Sequence, residues 1–254
     1  MVFSMMRNLI RKLIMPGRSL KPGFSHGYWE MGAKMPFLWH PDSVPHLLIS
    51  GITGGGKSVC AQYILNQLLD TDAEISIADF KAGGDWDGIV PDYGEYLECD
   101  EILKDFYNSF LAAIRGKEHH EKYLLFDEFS SYALSKDTKG FKELMGMVSH
   151  VAFMGRSFGY HLILISQQFN AKVIDTAIRE QFGVKLYMGS TISTESAAML
   201  FPNCQIDKAS HLPAHCGYIS MPEKELDIIQ MPYIAEPRRL KDLLAAKGCR
   251  RQGG

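Results

Sequence analysis

The 254-residue chain has little that would tie it to an oxidising compartment, a membrane or a metal cluster. Its five cysteines, Cys60, Cys99, Cys204, Cys216 and Cys249, are scattered, with no Cys-x-x-Cys pair. That spacing argues against a zinc site or a secreted disulfide framework and for a reducing compartment. No apolar run has the length of a membrane span, and the first residues lack the charged, apolar, small-residue order of a signal peptide, so a cytoplasmic protein without a transmembrane segment is expected. A dominant charge is lacking too: 27 Lys and Arg stand against 29 Asp and Glu. With no global basic field, any polyanion partner must be met by local patches or by a surface built from several subunits. Repeats and low-complexity tracts are absent. What remains, 46% hydrophobic and 22% charged residues, can bury a large core in one α/β domain.

The most informative stretch is His46-Leu-Leu-Ile-Ser-Gly-Ile-Thr-Gly-Gly-Gly-Lys-Ser58, an apolar run that breaks into Gly51-x-x-x-x-Gly56-Lys57-Ser58. It reads as a phosphate-binding loop between a buried strand and a helix. Glycines let successive backbone N–H groups of Gly51, Thr53, Gly54, Gly55, Gly56 and Val59 turn toward phosphate oxygens, and the following helix adds its positive dipole end. Lys57 reaches the β- and γ-phosphates and the Ser58 hydroxyl ligates Mg²⁺, so ATP and Mg²⁺ are the expected cofactors.

Strand and helix patterns alternate through the rest, the signature of a mostly parallel sheet flanked by helices. A leading hairpin is expected at 27–31 and 37–40, then strands at 47–50, 75–79, 123–126, 160–165 and 184–188, and a closing β-hairpin at 217–220 and 226–230. Helices are expected at 58–69, 101–115, 141–158, 173–181, 194–201 and 238–247. The predicted organisation is an N-terminal extension over 1–26, an α/β nucleotide-binding domain over 27–236 and a basic C-terminal helix and tail over 237–254. Within Met1–Met15, Met5, Met6, Leu9, Ile10, Leu13 and Ile14 recur at helical spacing opposite Arg7, Arg11 and Lys12, a basic amphipathic helix. It suits packing on its own domain, on a neighbouring subunit, on a membrane surface or on a partner.

Two further apolar strands end in polar groups. Tyr123-Leu-Leu-Phe-Asp127-Glu128 delivers two carboxylates, of which Asp127 can hold the Mg²⁺ shell while Glu128 polarises the attacking water. Tyr160-His-Leu-Ile-Leu-Ile-Ser166-Gln167-Gln168 delivers an amide at Gln167 that can bond both the lytic water and the γ-phosphate.

Taken in order, Val44–Val59, Ile77-Ala-Asp-Phe-Lys81, Phe126-Asp-Glu-Phe, Gly155–Gln168 and the closing Gly217-Tyr-Ile-Ser…Ile229-Gln-Met-Pro-Tyr resemble the motor domain of FtsK/SpoIIIE DNA translocases and their conjugation-coupling relatives, the FtsK-HerA superfamily. The resemblance runs from about Val44 to Ile234 and implies a RecA-like P-loop NTPase fold. It further implies a ring, usually hexameric, around double-stranded DNA, with ATP hydrolysed at subunit interfaces. It assigns Lys57 and Ser58 to the nucleotide loop, Asp127 and Glu128 to the acidic pair and Gln167 to the sensor. Arg156 matches an arginine presented to the neighbouring subunit's nucleotide.

Two departures matter. Where chromosome translocases have Asn-x-Pro-Thr-Arg this chain has Gln181-Phe-Gly-Val-Lys185, so a second trans cation would be Lys185, which cannot grip phosphate bidentately. The Arg-Pro after the sensor glutamine is Gln168-Phe169. Both favour a coupling or replication-associated ATPase of a mobile element or plasmid, working without strong sequence preference. The family's membrane spans and winged helix are missing, so a membrane, relaxase or replication partner is expected to act through the N-terminal helix. Lys136, Lys139 and Lys172 are candidate DNA contacts because lysines meet phosphates irrespective of sequence. The rival readings are a P-loop nucleotide switch and a structural ATP-binding module. The switch lacks a guanine-reading Asn-Lys-x-Asp, and its Asp-x-x-Gly at Asp85-Trp-Asp-Gly88 reads as a coincidence of a loop. A structural module would have no need of Glu128.

Overall fold

The computed structural model describes residues 19–206, 211–233 and 237–252. The expected amphipathic helix at 1–15 lies outside them.

Apolar runs without alternation form strands buried on both faces, as a covered parallel sheet requires. β1 (Phe24–Ser25), β2 (Leu47–Gly51), β3 (Glu74–Asp79), β4 (Asp92–Glu95), β5 (Lys122–Asp127), β6 (Tyr160–Ser166), β7 (Val184–Met188), β8 (Cys216–Ser220) and β9 (Asp227–Gln230) make one sheet in the order β1-β9-β8-β7-β2-β6-β5-β3-β4. The six strands from β7 to β4 are parallel, and β8, β9 and β1 add antiparallel at one edge, β8 and β9 as the expected closing hairpin. β2 is therefore central, with β6 and then β5 beside it, so the carboxyl ends of all three open on one pole. There a parallel sheet binds ligands.

The helices are α1 (His26–Glu30), α2 (Lys57–Leu68), α3 (Cys99–Gly116), α4 (Phe129–Leu134), α5 (Thr138–Phe158), α6 (Thr176–Glu180), α7 (Thr194–Leu200) and α8 (Pro237–Gln252). Alternate strand residues serve two cores. Leu48, Leu124, Phe126, Leu162 and Leu164 pack with Phe106 and Phe110 of α3 and Val148 and Val151 of α5. Leu47, Ile49, Ile77, Leu125, Ile163 and Ile165 pack on the other face with Ile64 and Leu65 of α2 and Leu244 of α8.

The expected leading hairpin is overturned. Residues 27–31, read as a strand, fall in and just after α1. The edge of β9 offers pairing to Phe24 and Ser25 only, and the chain then closes local bonds instead, Gly32 N–H to the Trp29 carbonyl and Ala33 N–H to that of Tyr28. Residues 37–40 meet the chain through isolated bridges, Leu20 with Trp39 and Phe24 with Pro36, because Pro36 and Pro41 remove the donors a ladder needs. Residues 20–25, within the expected N-terminal extension, pack on the sheet: Leu20 is buried in the β2–α2 core.

Candidate nucleotide site

The loop after β2 is held by close backbone approach. A Cβ on Gly51, whose φ is 148°, would stand 2.0 Å from the Met188 carbonyl oxygen at the end of β7, and one on Gly55 would stand 2.5 Å from it. Only glycine fits both. The Ser50 hydroxyl donates to the Gln167 carbonyl at 2.8 Å, stitching the loop's root to the end of β6. The Lys57 ammonium donates to the Gly51 and Ile52 carbonyls, each at 2.9 Å. Burial pushes its pKa down, offset by the charges of Glu128 and Asp127.

Asp127 closes β5 and is buried. Its Oδ1 accepts the Glu128 backbone N–H at 2.9 Å and its Oδ2 the Trp86 indole N–H at 2.8 Å. Burial raises its pKa, opposed by those two bonds and reinforced by the charges of Glu128 and Asp85. Asp79, opposite Asp127 in the β3–β5 register, accepts N–H bonds from Lys81, Ala82 and Gly83, yet burial and then Asp127 push it up to about 6. Glu128 has a left-handed backbone, φ 56° and ψ 40°, which turns the chain sharply from β5 into α4, and its Oε1 accepts the Ser131 hydroxyl at 3.0 Å.

These elements enclose a cleft of about 960 Å³ lined by Thr53, Gly54, Gly56, Lys57, Ser58, Val59, Asp127, Glu128 and Gln167. Gly51 and Gly55, expected among the phosphate-binding residues, are outside this lining and pack against the Met188 carbonyl instead. Sequence reasoning did not assign the rest of the lining, Gln62, Lys81, Gly84, Asp85, Ser131, Lys241 and Asp242. The run Gly83-Gly-Asp-Trp-Asp-Gly88 was the available signal, a tryptophan in an otherwise small and polar loop.

A hydroxyl and a buried carboxylate share this cleft, and Asp127 forms no salt bridge among the described residues, Lys57 acting on it only at longer range. Hard oxygen donors of this kind, completed by phosphate oxygens and water, suit Mg²⁺. Ser58 and Asp127 therefore fit the ion.

The remaining expected residues lie elsewhere. Exposed Arg156 sits near the end of α5, just before β6 begins, and so at the pole opposite the loop, in a separate cleft with Tyr28, Phe153 and Glu180. Lys185 is half-buried within β7, opposite Leu48; burial, then Arg179, lowers its pKa. Lys136, Lys139 and Lys172 follow the carboxyl ends of β5 and β6, on the loop's pole. Lys136 is tied to Asp100 and lies 4.2 Å over the Tyr132 ring, which leaves it poorly placed to reach a phosphate. Lys139 and Lys172 are exposed, Lys139 with a loose 3.8 Å pair to Glu143.

No family model matches the chain. It is 25% identical over 183 residues to the FtsK domain-containing protein YdcQ of Bacillus subtilis, covering 64% of this chain and 38% of YdcQ. It is also 25% identical over 189 residues to the DNA translocase FtsK of Borreliella burgdorferi, covering 61% of this chain and 24% of FtsK. The chain thus spans well under half of either relative. The conjugation coupling protein TcpA of pCW3, solved with ATPγS, has the same fold, with a TM-score of 0.62 and 22% identity over 82% of this chain and 67% of TcpA. The chain resembles the FtsK/SpoIIIE-type motor domain of the FtsK-HerA superfamily and has the RecA-like fold of P-loop ATPases.

Proposed function

We propose that the chain is an ATPase that couples hydrolysis to movement of double-stranded DNA, as a translocase or a DNA-transfer coupling motor of a mobile element or plasmid. The observation that carries this is the convergence of Lys57, Ser58, Asp127, Glu128 and Gln167, from three neighbouring strand ends, on one cleft. In this reading the loop's N–H groups and Lys57 hold the β- and γ-phosphates. Ser58 and Asp127 would hold Mg²⁺, which would supply charge neutralisation at the phosphates. Glu128 orients and deprotonates the attacking water, and Gln167 bonds that water and the γ-phosphate. The similarity to the DNA translocase FtsK supports DNA as the cargo.

The working unit in this reading is a ring, by family habit a homohexamer, in the cytoplasm. Arg156 serves the neighbour's nucleotide, Lys185 is a second cation of that kind, and Lys139 and Lys172 are the better-placed DNA contacts. A membrane, relaxase or replication partner engages the N-terminal segment. In this reading the motor unit is the domain over 27–236, joined by the extension over 1–26, whose Phe24 and Ser25 add β1 to the sheet, and by the segment over 237–254, whose Leu244 enters its core.

Phosphate release with and without duplex DNA tests it. Turnover should rise with DNA, with a DNA affinity that falls steeply with salt and varies little with sequence, because counterion release drives backbone binding. Turnover indifferent to DNA would return the chain to the switch or structural-module readings.

A further inference from the structure

We propose that Trp86 is a positioning residue for the acidic pair, holding Asp127 through its buried indole N–H, and that the C-terminal helix keeps Trp86 in that place. The proposal rests on the reading of the cleft as a Mg²⁺-nucleotide site. Trp86 is fully buried, and its N–H is the one side-chain donor to Asp127 among the described residues. A carboxylate turns easily about its last bond. The indole on Oδ2, with the Glu128 N–H on Oδ1, fixes that rotation.

The loop bearing Trp86 is itself anchored at four points. Asp79 takes three of its backbone N–H groups at one end. Gln62, on the same helix as Lys57 and Ser58, donates to the Asp85 carbonyl at 3.0 Å. The Tyr93 hydroxyl donates to Asp87 at 2.9 Å. Lys241 of α8 donates to the Gly84 carbonyl and lies 3.4 Å from Asp87. Further along α8, Leu244 is buried in the core, and Lys247 pairs with Asp70 at 2.8 Å just beyond α2. The helix thus straps the nucleotide-loop helix to the Trp86 loop, and a disturbance of α8 reaches Asp127 through two hydrogen bonds.

The test uses the full chain with Trp86→Phe and Lys241→Met, a fluorescent ATP analogue with and without Mg²⁺, and intrinsic emission. Trp86→Phe should keep metal-free nucleotide affinity, since the glycine loop and Lys57 are untouched. The Mg²⁺ concentration for half-maximal effect should rise about tenfold, the scale of one hydrogen bond to a charged group. Lys241→Met should move it the same way by about two- to threefold, the effect of a weaker exposed contact. Wild-type emission should shift when Mg²⁺ and a non-hydrolysable analogue bind, and that shift should vanish in Trp86→Phe although Trp29 and Trp39 remain.

Unchanged Mg²⁺ dependence in a Trp86→Phe protein that melts like wild type overturns the proposal. So does an equal loss of metal-free binding, which marks a packing role. If Trp86→Phe does not fold, Lys241→Met decides alone: an unmoved Mg²⁺ dependence refutes the strap. A wild-type chain that binds no nucleotide refutes the reading of the cleft first, and the proposal with it.

Discussion

At Glu128 one residue carries both a chemical duty and a backbone cost. A left-handed φ of 56° costs a side-chain-bearing residue about 1–2 kcal/mol. Glu128→Gln keeps that cost and the Ser131 contact while removing the base, so nucleotide affinity should persist and turnover should fall ~10² or more. Glu128→Gly should be equally inactive, yet more stable than Glu128→Gln by about 0.5–1 kcal/mol, because glycine adopts the conformation freely. Melting curves and phosphate release on the two variants check this together. If both lose affinity along with turnover, Glu128 belongs to the metal shell or to the fold. The site was legible at residues whose chemistry follows from the local run of sequence: Lys57 and Ser58 after a glycine turn, Asp127 and Gln167 after apolar strands. Trp86 was not legible, because its partner lies 41 residues away and only the folded sheet brings them together.

Among elements, the clearest pH-sensitive joint is His46, at the start of β2. Its Nδ1 accepts the Leu162 N–H at 3.0 Å and its Nε2–H donates to the Ala152 carbonyl at 3.1 Å, a neutral ring binding β2 to β6 and α5. Burial, then His161, lowers its pKa to about 3. The folded value lies below the unfolded 6.5, so this contribution is complete above pH 6.5 and is lost as pH falls toward 3. Asp79, raised to about 6, has the opposite sign and gains stability over pH 6 to 4. His46→Asn should therefore lose stability less steeply than wild type on acidification, with slopes differing by about 1.4 kcal/mol per pH unit between pH 6 and 4. Urea midpoints at pH 4, 5 and 6 measure it, and parallel slopes would clear His46 of the role. The central strands were readable because both faces are covered and the run needs no alternation. β4 was not, since Asp-Tyr-Gly-Glu has little strand character and forms by pairing with β3, and α4 is too short to show a period. The misread strand at 27–31 failed because the sheet edge it needed was two residues long.

For the whole molecule the decisive feature is the separation of Arg156 from the nucleotide cleft, one at each pole of the sheet. If the arginine works on a neighbour, Arg156→Ala and Lys57→Ala proteins, each inactive alone, should recover part of the hydrolysis when mixed, because a subunit with a dead loop still lends its arginine. An arginine finger is worth on the order of 10³ in rate, so even a minority of mended interfaces is visible. Mixtures shown to co-assemble yet inactive at every ratio would confine Arg156 to its own subunit. If Arg156 serves a neighbour in a ring, each contact is head-to-tail and leaves one cleft and one arginine free at the ends until the chain of subunits closes. Closure, rather than association, then completes the last site. An assembly that overshoots closure runs on as a polar filament, whose two ends differ as the two poles of the sheet do.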